Sequence, residues 1–257
     1  MFKRGQVTIF IIIALVIVGA VLLFFFLRQK VDVSGGLPSA EEDPEKFLEV
    51  CVNQELEKIV DQISRQGGSY DLSANNTLKM RLDNREFLIL CYTTNFYASC
   101  INQKPMLLNH IKSEIKTHVK ERVDNCLDQL DSALKEEAYN VELRKGDFNV
   151  SLARNRVILD YDISFSAEKA GKTLSIEDFR SVLRYPLYDL AVVAQEIVSQ
   201  EAEYCNFEYI GFMQLYPEFR IDKFKTGNGE NVYTVTHKLS GKEFKFGVLG
   251  CVFPPGI

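Results

Sequence analysis

Apolar positions along the chain fall into three regimes. The first is continuous: between Arg4 and Arg28 the run Val7 to Leu27, VTIFIIIALVIVGAVLLFFFL, carries no charge and no strong helix breaker. At about 1.5 Å rise per residue such a run is roughly 30 Å long as a helix, the thickness of bilayer hydrocarbon, and it predicts a membrane anchor. Behind it, Gly35, Gly36 and Pro38 oppose helix continuation and Glu41, Glu42 and Asp43 are strongly solvated, which predicts a linker.

The second regime has helical spacing. Asp43, Pro44 and Glu45 supply an N-cap, a proline at the first helical position and an acidic first turn. Leu48, Val52, Leu56, Ile59 and Ile63 then recur every three or four residues, with Cys51 at the edge of the stripe and Gly67-Gly68 as a left-handed stop. A second long helix, opened by Pro105, carries Leu108, Ile111, Ile115, Val119, Val123, Cys126, Leu127 and Leu130. The two stripes predict a packed helix pair. Between them, Glu86 to Tyr92 reads as a short buried strand or a tight hydrophobic turn.

The third regime has period two. Val141 and Leu143, then Phe148, Val150 and Leu152, then Val157 to Phe165 alternate with polar residues. Breaks at Lys145-Gly146-Asp147, Ala153 to Arg156 and Glu168 to Lys172 are of hairpin length, so an antiparallel meander is expected, with Thr173 to Leu183 as its fourth strand. Its cover is expected to be the helix begun by Pro186, with a stripe of Leu187, Leu190, Ala194, Ile197 and Val198 before the polar segment Ser199 to Glu203. Two last strands, Asn231 to Leu239 and Glu243 to Phe253, joined at Ser240-Gly241-Lys242, are expected to join or flank the same sheet.

The expected fold is thus α+β: an N-terminal transmembrane helix, then two long helices and an antiparallel β-meander covered by a helix. The segments are 1–30 for leader and anchor, 31–43 for the linker, 44–135 for the helical part of an ectodomain, and 136–257 for the sheet with its helix. The chain of 257 residues is long enough for a real core behind the anchor.

Charge narrows the partners. Lys and Arg number 30 against 35 Asp and Glu, and the only charges in residues 1–30, Lys3, Arg4, Arg28 and Lys30, are basic, so the remainder is more acidic than the whole. Nucleic-acid binding, which needs a basic face to displace counterions, is set aside. The positive-inside bias across the apolar run is small, and cysteine usage breaks the tie.

All six cysteines, Cys51, Cys91, Cys100, Cys126, Cys205 and Cys251, follow the anchor, and none forms a CxxC pair or lies beside a histidine at metal-ligand spacing. An even count on one side of a span reads as disulfides in an oxidising exterior; the competing reading is buried free thiols in a cytosolic domain. Among the many possible connectivities, helix packing and proximity favour Cys51 with Cys126, Cys91 with Cys100, and Cys205 with Cys251. The sequons Asn75-Asn76-Thr77 and Asn149-Val150-Ser151 permit glycosylation on that side.

Candidate chemistry is sparse. His110 with Glu114 and His118 with Glu121 have spacings that present two metal ligands on a helix, but charged helix faces produce them constantly. His237 shares a strand face with Tyr233, Val235 and Leu239 and reads as a half-buried structural histidine. Asp160 and Asp162 project to one side of a strand whose other face belongs to the core, and read as the wet face. There is no Gly-x-Ser-x-Gly elbow and no phosphate-cradling loop; Gly227-Asn228-Gly229 reads as a turn. No residue is assigned to catalysis, a cofactor or a metal.

The opening Lys3-Arg4-Gly5-Gln6-Val7-Thr8-Ile9-Phe10 resembles the class III, prepilin-type leader of archaeal surface proteins, in which a peptidase cuts after a glycine that follows basic residues. The resemblance implies a cut between Gly5 and Gln6. The chain is similar overall to uncharacterised single-pass surface proteins of small-genome archaea, through Gln66-Gly67-Gly68-Ser69-Tyr70 at the end of a cysteine-containing helix, Asn125-Cys126 near the end of the next, the helix at Val192 to Gln200 and the strand at Glu243 to Val248. It departs from pilins at Phe10, where pilin-like leaders usually carry Glu, and at the Gly35-Gly36 and Pro38 linker, which would break the long assembly helix.

The expectation is a membrane-anchored extracellular domain of binding or structural role at the cell surface, with its N-terminus cytoplasmic. A pilin-like filament subunit and an anchored hydrolase are the alternatives. The partners expected are the lipid bilayer and either further copies of the chain or another surface protein.

Overall fold

The structure, a computed structural model, describes residues 17–18, 37–74, 77–95, 97–227 and 229–251. The chain divides into two compact units, Met1–Leu37 and Pro38–Ile257, and helix α1 with every element after it belongs to the second.

Helix α1 (Pro44–Arg65) starts where the Asp43 side chain accepts the Lys46 N–H at 2.8 Å, satisfying one of the orphan donors of the first turn. It ends at Gly67 and Gly68, whose φ of +76° and +108° L side chains rarely adopt. The Gly68 N–H closes the helix on the Ile63 carbonyl at 2.8 Å. The glycines also allow close approach, because a Cβ at Gly68 would lie 2.9 Å from Leu107 Cδ1.

Strands β1 (Lys79–Leu82), β2 (Arg85–Tyr92) and β3 (Ile101–Asn102) come next, and then α2 (Leu107–Glu136). The α2 stripe of Leu107, Ile111, Ile115, Val119, Val123, Cys126, Leu127, Leu130 and Leu134 is buried, as is the α1 stripe. The two stripes meet, and the helices pack on each other.

The meander comprises β4 (Asn140–Ala153), β5 (Arg156–Lys169) and β6 (Lys172–Arg184) in that order, all antiparallel. Its second hairpin turns at Ala170-Gly171, both with positive φ, the geometry that matches strand twist. Helix α3 (Leu187–Tyr204) leads to a short helix α4 (Tyr209–Leu215) and to β7 (Phe219–Lys225), β8 (Asn231–His237) and β9 (Glu243–Leu249). These last strands form a second sheet with order β1-β2-β9-β8-β7, in which β3 also pairs with β2 and β2 runs parallel to β9.

Several expectations are corrected. The class is α+β, but the N-terminal transmembrane helix expected of it is not found: among the described residues no helix is long and apolar enough to cross a membrane, and Val7 to Leu27, apart from Ile17 and Val18, lies outside them. The meander has three strands, because Gly146-Asp147 is a bulge within β4. Leu143 and Phe148 are an odd number of residues apart, so the inward phase has to shift between them, and two residues opposing Asp162 accomplish this without a turn. The final strands do not extend the meander; they pair with β2. Helix α3 lies chiefly against that second sheet, whereas α1 and α2 cover the meander. Glu86 to Tyr92 takes the strand alternative as β2, and its neighbours β1 and β3 were not expected from the sequence.

One apolar core joins the inner faces of both sheets to α1, α2 and α3, with Phe165, Tyr233, Phe244 and Phe246 almost wholly buried. At about 25 cal/mol per Å² of apolar area removed from water, each of these rings contributes on the order of 2–3 kcal/mol. A smaller cluster of Met80, Phe87, Ile89 and Val232 occupies the opposite face of the second sheet.

Candidate functional site

The densest polar chemistry in the interior lies where α3 ends on the second sheet. Leu190, Ala194, Ile197 and Glu201 continue one stripe of α3 at spacings of four, three and four, so the Glu201 carboxylate enters the core and is only 1% exposed. Along β7, Phe219, Ile221 and Lys223 alternate inward, while Arg220, Asp222 and Phe224 point out. Lys223 therefore runs its stem along the core face, with its side chain 18% exposed.

Its Nζ lies 3.0 Å from Glu201 Oε1 and donates to Asn206 Oδ1 at 3.3 Å. The Tyr233 hydroxyl, from β8, donates to the same Glu201 oxygen. Burial, reinforced by that carboxylate, pushes the Tyr233 hydroxyl well above the usual phenol range, so it stays a donor. The Tyr233 ring stacks on Phe246 at 5.6 Å and meets Phe207 edge-on at 6.3 Å, and Lys223 Nζ sits 5.3 Å from its centroid. Cys205, in the left-handed region at φ +58°, stops α3 and turns Asn206 and Phe207 back toward the sheet. The cluster can hold or pass a proton among an amine, a carboxyl and a phenol beside a primary amide. The sequence places Glu201 in the polar segment Ser199 to Glu203; the signal that could have found it is its i+4 spacing from Ile197, and nothing in the sequence relates it to Lys223.

The six cysteines form three bridges. Cys51 on α1 joins Cys126 on α2 with Cα atoms 5.9 Å apart; Cys91 on β2 joins Cys100 at 5.3 Å; Cys205 joins Cys251 at 5.7 Å. Each ties elements that are already packed, as disulfide geometry requires.

The histidines of α2 form a ladder at i, i+4 and i+8 with Glu114. His110 Nε2 and Ser69 Oγ share a hydrogen bond of 2.7 Å, the Tyr70 N–H donates to Glu114 Oε2 at 2.8 Å, and His118 stacks on the Tyr70 ring at 4.3 Å. His118 Nε2 is 3.9 Å from Glu114, its partner on the helix in place of Glu121. Burial, with Lys104 nearby, holds the His110 imidazole below its ordinary pKa against the opposing pull of Glu114. Ser69 is buried, and Glu114 is engaged by the Tyr70 amide, so the ladder clamps the loop after α1 onto α2. His237 bonds Ser240 Oγ at 2.9 Å inside the β8–β9 turn.

Asp160 and Asp162 line a cleft of about 410 Å³ on the meander with Asp147, Asp178 and Lys116. The bulges that place Gly146-Asp147 and Asp178 beside Asp162 gather these acids. Asp160 is paired with Arg180 at 3.0 Å. Among the described residues no group of three His, Cys, Asp or Glu side chains is placed to hold a metal ion. Asn149 is exposed on β4 opposite Asp160, while Asn75, Gly5 and Gln6 lie outside the described residues.

No family model matches the chain, and neither a curated protein nor a solved structure matches it.

Proposed function

We propose that the chain is a cross-linked ectodomain with a binding or structural role at the cell surface, tethered to the membrane through its apolar N-terminal stretch. The observation that carries this reading is the cysteine inventory: all six are paired within residues 38–257. Disulfides persist where the surroundings are oxidising, and reducing compartments keep such thiols free. The uncharged run Val7 to Leu27 supplies the tether.

The test is thiol mapping on protein taken from the native membrane fraction without reduction, together with protease digestion of intact cells. Six blocked cysteines and a domain shaved from outside are expected. Six alkylatable thiols, or protection of the domain in intact cells, would overturn the reading. A pilin-like filament subunit is the second reading, favoured by the leader-like Lys3-Arg4-Gly5-Gln6. A mature N-terminus at Gln6 supports it, and an intact Met1 sinks it.

A further inference from the structure

We propose that Lys223 and Asn206 become joined by an intramolecular isopeptide bond, formed autocatalytically with Glu201 as the proton carrier. The inference goes beyond the surface role and holds or fails independently of where the chain resides.

The arrangement supplies every part such a reaction needs. Lys223 brings a primary amine to 3.3 Å from the carbonyl oxygen of a primary amide, so the amide carbon is one bond further on. Glu201, 1% exposed, touches the amine at 3.0 Å. The Tyr233 ring, packed between Phe207 and Phe246, gives the amine an apolar wall on its core side, with Nζ 5.3 Å from the ring centroid. Holding amine and amide side by side turns a slow bimolecular aminolysis into a unimolecular one, worth several orders of magnitude in effective concentration.

The step balances without any co-reactant. A proton passes from Lys223 Nζ to Glu201, leaving a free amine and a carboxylic acid. The Nζ lone pair attacks Asn206 Cγ, with the Glu201 acid, which also accepts from the Tyr233 hydroxyl, beside the amine. The carboxyl then relays the proton lost by Nζ to the amide nitrogen, the Cγ–Nδ2 bond breaks, and ammonia leaves. Asn206 is exposed, so the ammonia departs into solvent. The product is one new N–C bond, with Glu201 again protonated.

The bond would close a loop between the end of α3 and β7, next to the Cys205–Cys251 bridge, and would survive reduction. The decisive measurement is mass spectrometry of the full chain, reduced, alkylated and digested with trypsin. The expected product is a branched species joining residues 185–220 to residues 221–225 through Asn206 and Lys223, lighter than the two free peptides by one ammonia. Acylated Lys223 also resists trypsin, so cleavage after it is lost. Asn206→Ala and Lys223→Arg should each give unbranched peptides, and Glu201→Gln should abolish or strongly slow branching. Wild-type protein yielding unbranched peptides with cleavage after Lys223 would overturn the proposal; so would undiminished branching in Glu201→Gln, which removes the proton carrier. Localising the branch separates it from ammonia lost at an N-terminal glutamine.

Discussion

Removing the Cys51–Cys126 bridge by the paired substitution Cys51→Ala and Cys126→Ala should cost far more stability than removing Cys91–Cys100 in the same way. The first bridge spans 75 residues and the second 9. In the chain-entropy account the constraint on the unfolded state is worth about 4.5 kcal/mol for the longer loop and about 2.6 kcal/mol for the shorter. The shorter loop lies within the longer one, which trims the outer length by a few residues and alters its logarithm little. All four sulfurs come from buried residues, between 0% and 6% exposed, so the packing lost on truncation is similar in both pairs and largely cancels in the comparison. At about 2–4 °C per kcal/mol for a domain of this size, the longer loop should lower Tm by about 10–15 °C and the shorter by about half as much. Differential scanning calorimetry of the two double variants against wild type, under non-reducing conditions, gives both shifts. An equal or larger loss from the Cys91–Cys100 pair would refute loop entropy as the dominant contribution of these bonds and point to local packing around β2 and β3.

Tyr233→Phe removes the hydroxyl that donates to buried Glu201 and should cost about 2 kcal/mol in urea unfolding, the scale of a hydrogen bond to a charged acceptor; no change in midpoint would mean that the hydroxyl leaves Glu201 no better satisfied. The His110 imidazole has a folded pKa below the unfolded 6.5, so the unfolded state binds its proton first. Its contribution is therefore present above pH 6.5 and lost as pH falls through the folded value; Tm measured from pH 7.5 to 5.5 should decline more steeply in wild type than in His110→Gln, and parallel profiles would contradict this. Gly68→Ala places a Cβ 2.9 Å from Leu107 Cδ1 on a residue at φ +108°, and should destabilise by about 2–3 kcal/mol in thermal unfolding; a neutral result would show that the α1–α2 junction yields.

The chemistry was harder to read from the sequence than the elements that carry it. Ser69 and His110 are 41 residues apart, and Glu201 and Lys223 are 22 apart on a helix and a strand. No periodicity within either element relates them. Glu201 was expected to belong to the polar segment Ser199 to Glu203, because a stripe shows which face of a helix is apolar and not how far along the helix the core reaches.

The sequence by itself determined the three long helices, most of the meander and the last two strands, whereas β1, β3, α4 and β7 were not read from it. Spacings of three and four set the buried faces of α1, α2 and α3, alternation set those of the meander, and Ala170-Gly171 and Ser240-Gly241 marked hairpins through the conformations they permit. Such signals arise from residues within one turn or one strand, so one chain suffices to show them. Only the tertiary structure decided that Gly146-Asp147 bulges where a turn was expected, that β2 lies parallel to β9, and that α3 covers the second sheet. A strand's alternation says which face is buried but not which strand it pairs with, and a bulge and a turn share the same small residues. The partner is chosen by shape and by the burial of a whole face, which brings Lys223 to Asn206 and Glu201.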